Sequence, residues 1–185
     1  MAILYFDLAS PYAYLAVARA AHVLPARPEL EPVLLGAIFQ WRGSGSWADT
    51  ASRTTHVNEI EARARRYGLP ALTWPRAWPA NSLAAMRAAT WAKGHGRVDE
   101  FAQAVFRAEF VRGQDIADVA VLSECAVEAG LEAGQLADAI AQPALKDELR
   151  KATTAAWEAG VRGVPTLIEG MTVYYGDDQL ELAAG

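Results

Sequence analysis

Four places in the sequence bring together residue types that can do chemistry. The first is Ser10-Pro11, which follows an apolar, β-rich run from Ile3 to Leu8 and precedes an Ala/Leu/Tyr segment reaching about Leu24. Serine at an N-cap and proline at the first helical position form a structural pairing, since the hydroxyl satisfies an orphan amide and the ring forfeits no helical hydrogen bond. The same turn suits an anion, because free N–H groups and the positive end of the helix dipole point beyond the strand. The second place is Val164-Pro165, ahead of another β-rich run, where proline reads as strand punctuation and trans is the commoner peptide state. The third is Asp177 with Asp178, which read most simply as caps of a final short helix. The fourth is the apolar loop of Trp74, Pro75, Trp78 and Pro79, followed by Asn81 as a helix cap, with Trp41 and Trp47 upstream.

Other reactive types offer less. His22, His56 and His95 share no metal-ligand spacing and read as surface or interface histidines, so no metal is expected. Cys125, between Leu122 and Ala126, reads as a small buried apolar residue rather than a nucleophile.

The elements that must position these residues lie at the two ends of the chain. Ile3 to Leu8 and Glu31 to Ile38 (EPVLLGAI) read as strands flanking the first helix, a β-α-β opening. The Gly/Ser-rich stretch from about Arg42 to Ser52 reads as loop. Helical spacing then dominates, with Val98, Phe101, Ala102, Val105 and Phe106 on one face and Leu145, Leu149, Ala152 and Ala156 on another. Thr166 to Glu169 and Thr172 to Tyr175 form a hairpin about Gly170. The expected α/β architecture is a sheet unit of residues 1–40 and 160–185, interrupted by a helical insertion over 41–159.

Composition bounds the rest. With 185 residues, 52% hydrophobic and 21% charged, the chain is sized for a single well-buried core and is too apolar for disorder. A net charge of −5, with no basic run beyond Arg65-Arg66, argues against nucleic acid. One cysteine excludes an internal disulfide and a two-cysteine redox centre, and suggests a reducing compartment. No stretch approaches the roughly 18 apolar residues of a membrane helix, and the start carries Asp7 without a basic region, so a cytoplasmic protein with no membrane partner is expected.

FDLASPYAYLA (6–16) and LGAIFQ (35–40), followed in order by WPANSLAAMRAA (78–89), FRAEFVRGQDIAD (106–118), GVPT (163–166) and YGDDQLEL (175–182), resemble the glutathione-dependent 2-hydroxychromene-2-carboxylate isomerases and the related kappa-class glutathione transferases. The likeness is weakest from about Arg42 to Arg66. It implies a thioredoxin-like fold with a large all-helical insertion, a homodimer, and glutathione bound with its sulfur beside Ser10. Thioredoxin-like redox proteins carry Cys-x-x-Cys at this turn, whereas Ser10, Pro11, Tyr12 and Ala13 stand here. The resemblance also implies a cis Pro165, backbone pairing of Val164 with the cysteinyl unit, and Asp178, aided by Asp177, on the γ-glutamyl ammonium. Gln179 stands where many relatives carry Arg. Trp78 and Asn81 would face a small aromatic substrate, and Arg53 would take its carboxylate through two hydrogen bonds.

The energies suffice for a serine that tunes a borrowed thiol. Lowering a thiol pKa by two units needs about 2.7 kcal/mol, while a hydrogen bond to a charged group contributes roughly 1.5–3 kcal/mol and a helix terminus up to about 2 kcal/mol. Isomerisation of an aromatic hydroxy or keto acid by reversible thiolate addition is the leading expectation. Kappa-like conjugation of an electrophile, non-catalytic binding of a thiol or peptide, and disulfide exchange follow in that order.

Overall fold

The computed structural model describes residues 1–185. Strand β1 (Ala2–Phe6) and helix α1 (Pro11–Val23) lead to β2 (Glu29–Pro32) and α2 (Leu35–Arg42). After a 3-10 turn at Trp47–Asp49 come α3 (Arg53–Arg66), α4 (Leu83–Gly94), α5 (Val98–Phe110), α6 (Val119–Glu128), α7 (Ala133–Ala141) and α8 (Pro143–Glu158). The chain returns to the sheet through β3 (Thr166–Glu169) and β4 (Thr172–Tyr175), then ends in a 3-10 turn at Asp177–Gln179 and α9 (Leu180–Ala183).

The sheet order is β2-β1-β3-β4, with β2 parallel to β1 and the β3/β4 hairpin antiparallel. This is the expected α/β, thioredoxin-like arrangement, with strands from both chain ends and helices between. Strand β1 is central, so its period of two sorts residues between two buried faces. Leu4 pairs with Leu30 on one side and Leu167 on the other, and with Phe6 these belong to a core of 37 buried residues that continues into α1, α4, α5 and α6. Tyr5 joins Val33, Ile38, Ala156, Val161 and Val164 in a smaller cluster under α2 and α8.

One expected strand is corrected. EPVLLGAI is not a single β run: β2 ends at Pro32, and Leu35 begins α2, which Gly43 closes with φ +68. An apolar run of this length does not separate strand from buried helix. At the break the Asp7 carboxyl accepts the Leu35 amide at 2.9 Å, one of the first-turn amides that a helix leaves without an internal partner.

Buried Glu109 on α5 has no partner for either carboxyl oxygen. Burial, with the nearby Asp7 and Asp115, pushes its carboxyl well above the ordinary range. The folded chain therefore holds this proton to higher pH than the unfolded chain, and stability falls as pH rises above about 4.5 toward the folded value. Glu109→Gln is expected to raise stability by on the order of 1–3 kcal/mol near pH 8 and by little near pH 4.5. Urea unfolding at the two pH values checks this, and a gain that does not depend on pH would contradict it.

Candidate functional site

The turn between β1 and α1 is built by two side chains. The buried Asp7 carboxyl accepts the Ala9 amide at 3.0 Å and the Leu35 amide, tying the strand end to α2. Burial pushes this carboxyl up, against the hydrogen bonds from Leu35, Ala9 and Ser82. Ser10 is the N-cap of α1 in extended conformation, and its Oγ accepts the Ala13 amide at 3.2 Å. The cap uses the oxygen only as an acceptor, so the hydroxyl proton remains free to donate.

Ser10 lies where two clefts meet. The first, about 390 Å³, is lined among others by Arg42, His56, Arg63, Val164 and Asp178. Val164-Pro165 is cis, as the resemblance implied, and neither the N–H nor the C=O of Val164 is taken by another group of the chain. Gly163 lets this edge lie close to the end of β4, since a Cβ there would meet the Tyr175 ring at 2.8 Å.

Asp177 does not cap a helix, contrary to the simplest sequence reading. Gly176 (φ 112) occupies the N-cap position, no side chain caps the turn, and the Asp177 carboxyl points inward with no solvent exposure. It accepts Arg63 Nη1 at 2.7 Å and the Tyr67 hydroxyl at 3.0 Å, while its carbonyl accepts Arg19 at 3.4 Å. Burial pushes the carboxyl up, with Arg63 and Tyr67 opposing. Burial works against the Arg63 charge too, but Asp177, Glu59 and Asp178 outweigh it and hold the guanidinium protonated. Asp178 stays half exposed, 3.4 Å from Arg63, and faces the cleft.

The second cleft, about 270 Å³, carries fewer charged groups, with Trp78, cis Pro79, Asn81 and Asp7, and it shares Ser10, Leu35, Phe39 and Trp47 with the first. Trp78 is packed between Trp47 (5.3 Å) and Trp74 (4.7 Å). Ser82, not Asn81, is the N-cap of α4, and Asn81 one residue earlier accepts the Leu83 amide at 3.1 Å. Arg53 lines neither cleft. Its guanidinium donates to the carbonyls of Trp78 (2.8 Å) and Ala48 (3.4 Å) and lies over the Trp78 ring. Trp41 is also outside, against Trp157.

Sequence reading missed Tyr12, His56, Glu59 and Arg63, and it set His56 aside as a surface residue. The available signal was spacing: positions 56, 59 and 63 fall on one stripe of α3. The Tyr12 hydroxyl lies 2.8 Å from His56 Nδ1 and 3.3 Å from Glu59 Oε2, and burial followed by Glu59 pushes the phenol up. Cys125 is buried in α6 outside both clefts, with burial pushing its thiol up to about 11. No helix is long and apolar enough to cross a membrane.

Comparison with known proteins adds a lineage to this geometry. The model of the DSBA-like thioredoxin domain matches residues 2–185. The 2-hydroxychromene-2-carboxylate isomerase of Sphingobium xenophagum is 29% identical over 184 residues, which span 96% of this chain and 92% of that protein. A solved structure of 2-hydroxychromene-2-carboxylate isomerase superposes with a TM-score of 0.87 at 21% identity, covering 98% of this chain and 91% of the other. The cytosolic disulfide reductase DsbM from Pseudomonas aeruginosa with GSH gives 0.66 at 19% identity, over 98% and 93%.

Arg63→Met leaves the buried Asp177 carboxyl with Tyr67 alone. Stability at neutral pH is expected to fall by roughly 3 kcal/mol, and adding Asp177→Asn should recover part of it by removing the unpaired charge. Chemical denaturation checks both, and a single variant as stable as the parent would remove the clasp from this account.

Proposed function

This chain belongs to the DSBA-like thioredoxin domain family, and within it we propose a glutathione-dependent isomerase of 2-hydroxychromene-2-carboxylate or a related aromatic hydroxy or keto acid. The observation that carries the reading is Ser10: a hydroxyl that caps α1 as acceptor, keeps its proton to donate, and sits where a cleft rich in charged groups meets one lined by Trp78 and Asn81. The name of the Sphingobium xenophagum relative supports the substrate class, and DsbM with GSH supports the tripeptide.

The residues present fit glutathione. The open N–H and C=O of Val164, beside cis Pro165, suit the cysteinyl backbone by strand-like pairing. Asp178 suits the γ-glutamyl ammonium, with Arg63 next to it for the adjoining carboxylate. Asp177 acts from behind, holding Arg63 in place. Glutathione, when bound, supplies a thiolate that adds reversibly to a conjugated double bond, allows rotation about the resulting single bond, and leaves again.

The chain's own residues provide position and charge. Ser10 donates to the sulfur and the N-terminus of α1 adds its dipole, favouring thiolate over thiol. Trp78, Pro79 and Asn81 hold an aromatic ring beside that sulfur, and Arg53 stiffens the loop that carries them. A homodimer in the cytoplasm belongs to the same reading.

Ser10→Ala is expected to lower turnover of 2-hydroxychromene-2-carboxylate by roughly 10- to 100-fold, the equivalent of one hydrogen bond to a charged group. The lost cap should cost only about 1 kcal/mol of stability, so the variant remains folded. Free glutathione should be recovered in full after the reaction. Its consumption would indicate conjugation instead, and an unchanged rate would take Ser10 out of the mechanism.

A further inference from the structure

Glutathione held as a thiolate must shed its thiol proton, and the cleft around Ser10 offers few places for it. Ser10 is a donor in this arrangement and cannot take the proton without losing that role. Asp177 is sealed from solvent with its oxygens on Arg63 and Tyr67. Asp178 lies against Arg63. Glu59 already carries Arg63 at 2.6 Å and stands near Tyr12, and Arg42 and Arg63 are permanent cations.

Asp7, in the second cleft, is buried and holds the Ala9 and Leu35 amides. Among the carboxyl and imidazole groups of the first cleft, the one left is His56. Its ring is held between Trp47, with centroids 4.5 Å apart, and the edge of Tyr12, and it lines the same cleft as Ser10. Tyr12 has one hydroxyl proton. Given to Glu59 Oε2 at 3.3 Å, it leaves the Tyr12 oxygen to accept from His56 Nδ1–H at 2.8 Å, and the imidazole's basic nitrogen is then Nε2. Nε2 has no partner within the chain. A carboxylate thus stands behind the ring through a phenol, with Glu59 also 3.9 Å from Nδ1. Histidine is also the side chain suited to taking up and returning a proton near neutrality.

We propose that His56 is the proton carrier of this site, accepting the thiol proton of glutathione at Nε2 and returning it when the tripeptide leaves. The S–H bond breaks with its electron pair remaining on sulfur, and an N–H bond forms with the imidazole lone pair. The reverse transfer restores thiol and neutral ring, so no oxidant or further reactant is needed. The groups facing the ring from neighbouring elements are Tyr12 on α1, Trp47 in the 3-10 turn and Glu59 on its own helix. Arg63, over the Tyr12 ring at 5.7 Å, moderates the negative charge of Glu59.

The inference rests on the glutathione reading above, and calorimetry separates the two. Glutathione is titrated into the protein near pH 7.5 in two buffers of different ionisation enthalpy, giving the protons released per tripeptide bound. His56→Gln is expected to release about one proton more per glutathione than the parent, because the parent retains the thiol proton on His56. His56→Asn, which keeps a polar atom near the Tyr12 hydroxyl, should do the same, and far-UV circular dichroism identifies which variant is folded for the comparison. S-methylglutathione has no thiol proton, so parent and variants should then release equal numbers. Equal release with glutathione itself, or a difference that persists with S-methylglutathione, would overturn the role of His56. No binding heat in the parent in either buffer, with no displacement of a bound thiol probe, would overturn the glutathione reading instead.

Discussion

Asp177 has no solvent exposure, and a carboxyl so placed is tolerable only with partners. Those partners come from distant parts of the chain: Arg63 and Tyr67 at the end of α3, and Arg19 on α1 through the Asp177 carbonyl. The contact therefore fixes the C-terminal turn against two helices and sets the width of the polar cleft. Arg63 reaches Asp177, Asp178 and Glu59 together, and Glu59 reaches Tyr12 in turn. Loss of the central charge would disturb the wall formed by Asp177, Asp178, Glu59 and Tyr12, because these members share one network.

How much of this could be read beforehand depends on sequence distance. Ser10 and Pro11 are adjacent, and both the start of α1 and its cap follow from local chemistry. The hairpin of β3 and β4 was likewise legible, because two β-rich runs flank a single glycine region. EPVLLGAI was not, since a short apolar run carries neither period clearly, and at the boundary the Leu35 amide bonds to Asp7, 28 positions away. Asp177 read as a cap because its neighbours in sequence suggest nothing else, whereas its partner lies 114 positions earlier. Arg53 reads in sequence as a cation suited to a carboxylate, and its contacts with the carbonyls of Trp78 and Ala48, 25 and 5 positions away, were not legible there.

The two clefts divide labour by composition. Charged groups gather where Val164 and Asp178 lie, and indole rings gather where Trp78 and Asn81 lie. Trp47 belongs to both and packs on His56, and with Leu35 and Phe39 it forms the apolar boundary that the two clefts share beside Ser10. This places a hydrogen-bond donor at an edge where a polar ligand and a flat ring can touch each other without either leaving its preferred surroundings.

Cys125 is packed inside α6, far from the clefts, and its thiol is reluctant to ionise. Any sulfur chemistry at Ser10 must then run on a sulfur that diffuses in and out. Alkylating reagents such as iodoacetamide would silence the pool of small thiols while leaving the polypeptide unmarked, and dialysis followed by fresh thiol would restore what the reagent removed. Peroxide, similarly, finds no low-pKa cysteine here to convert into a sulfenic acid. The fold that this chain shares with the disulfide reductase DsbM holds here a single, buried thiol.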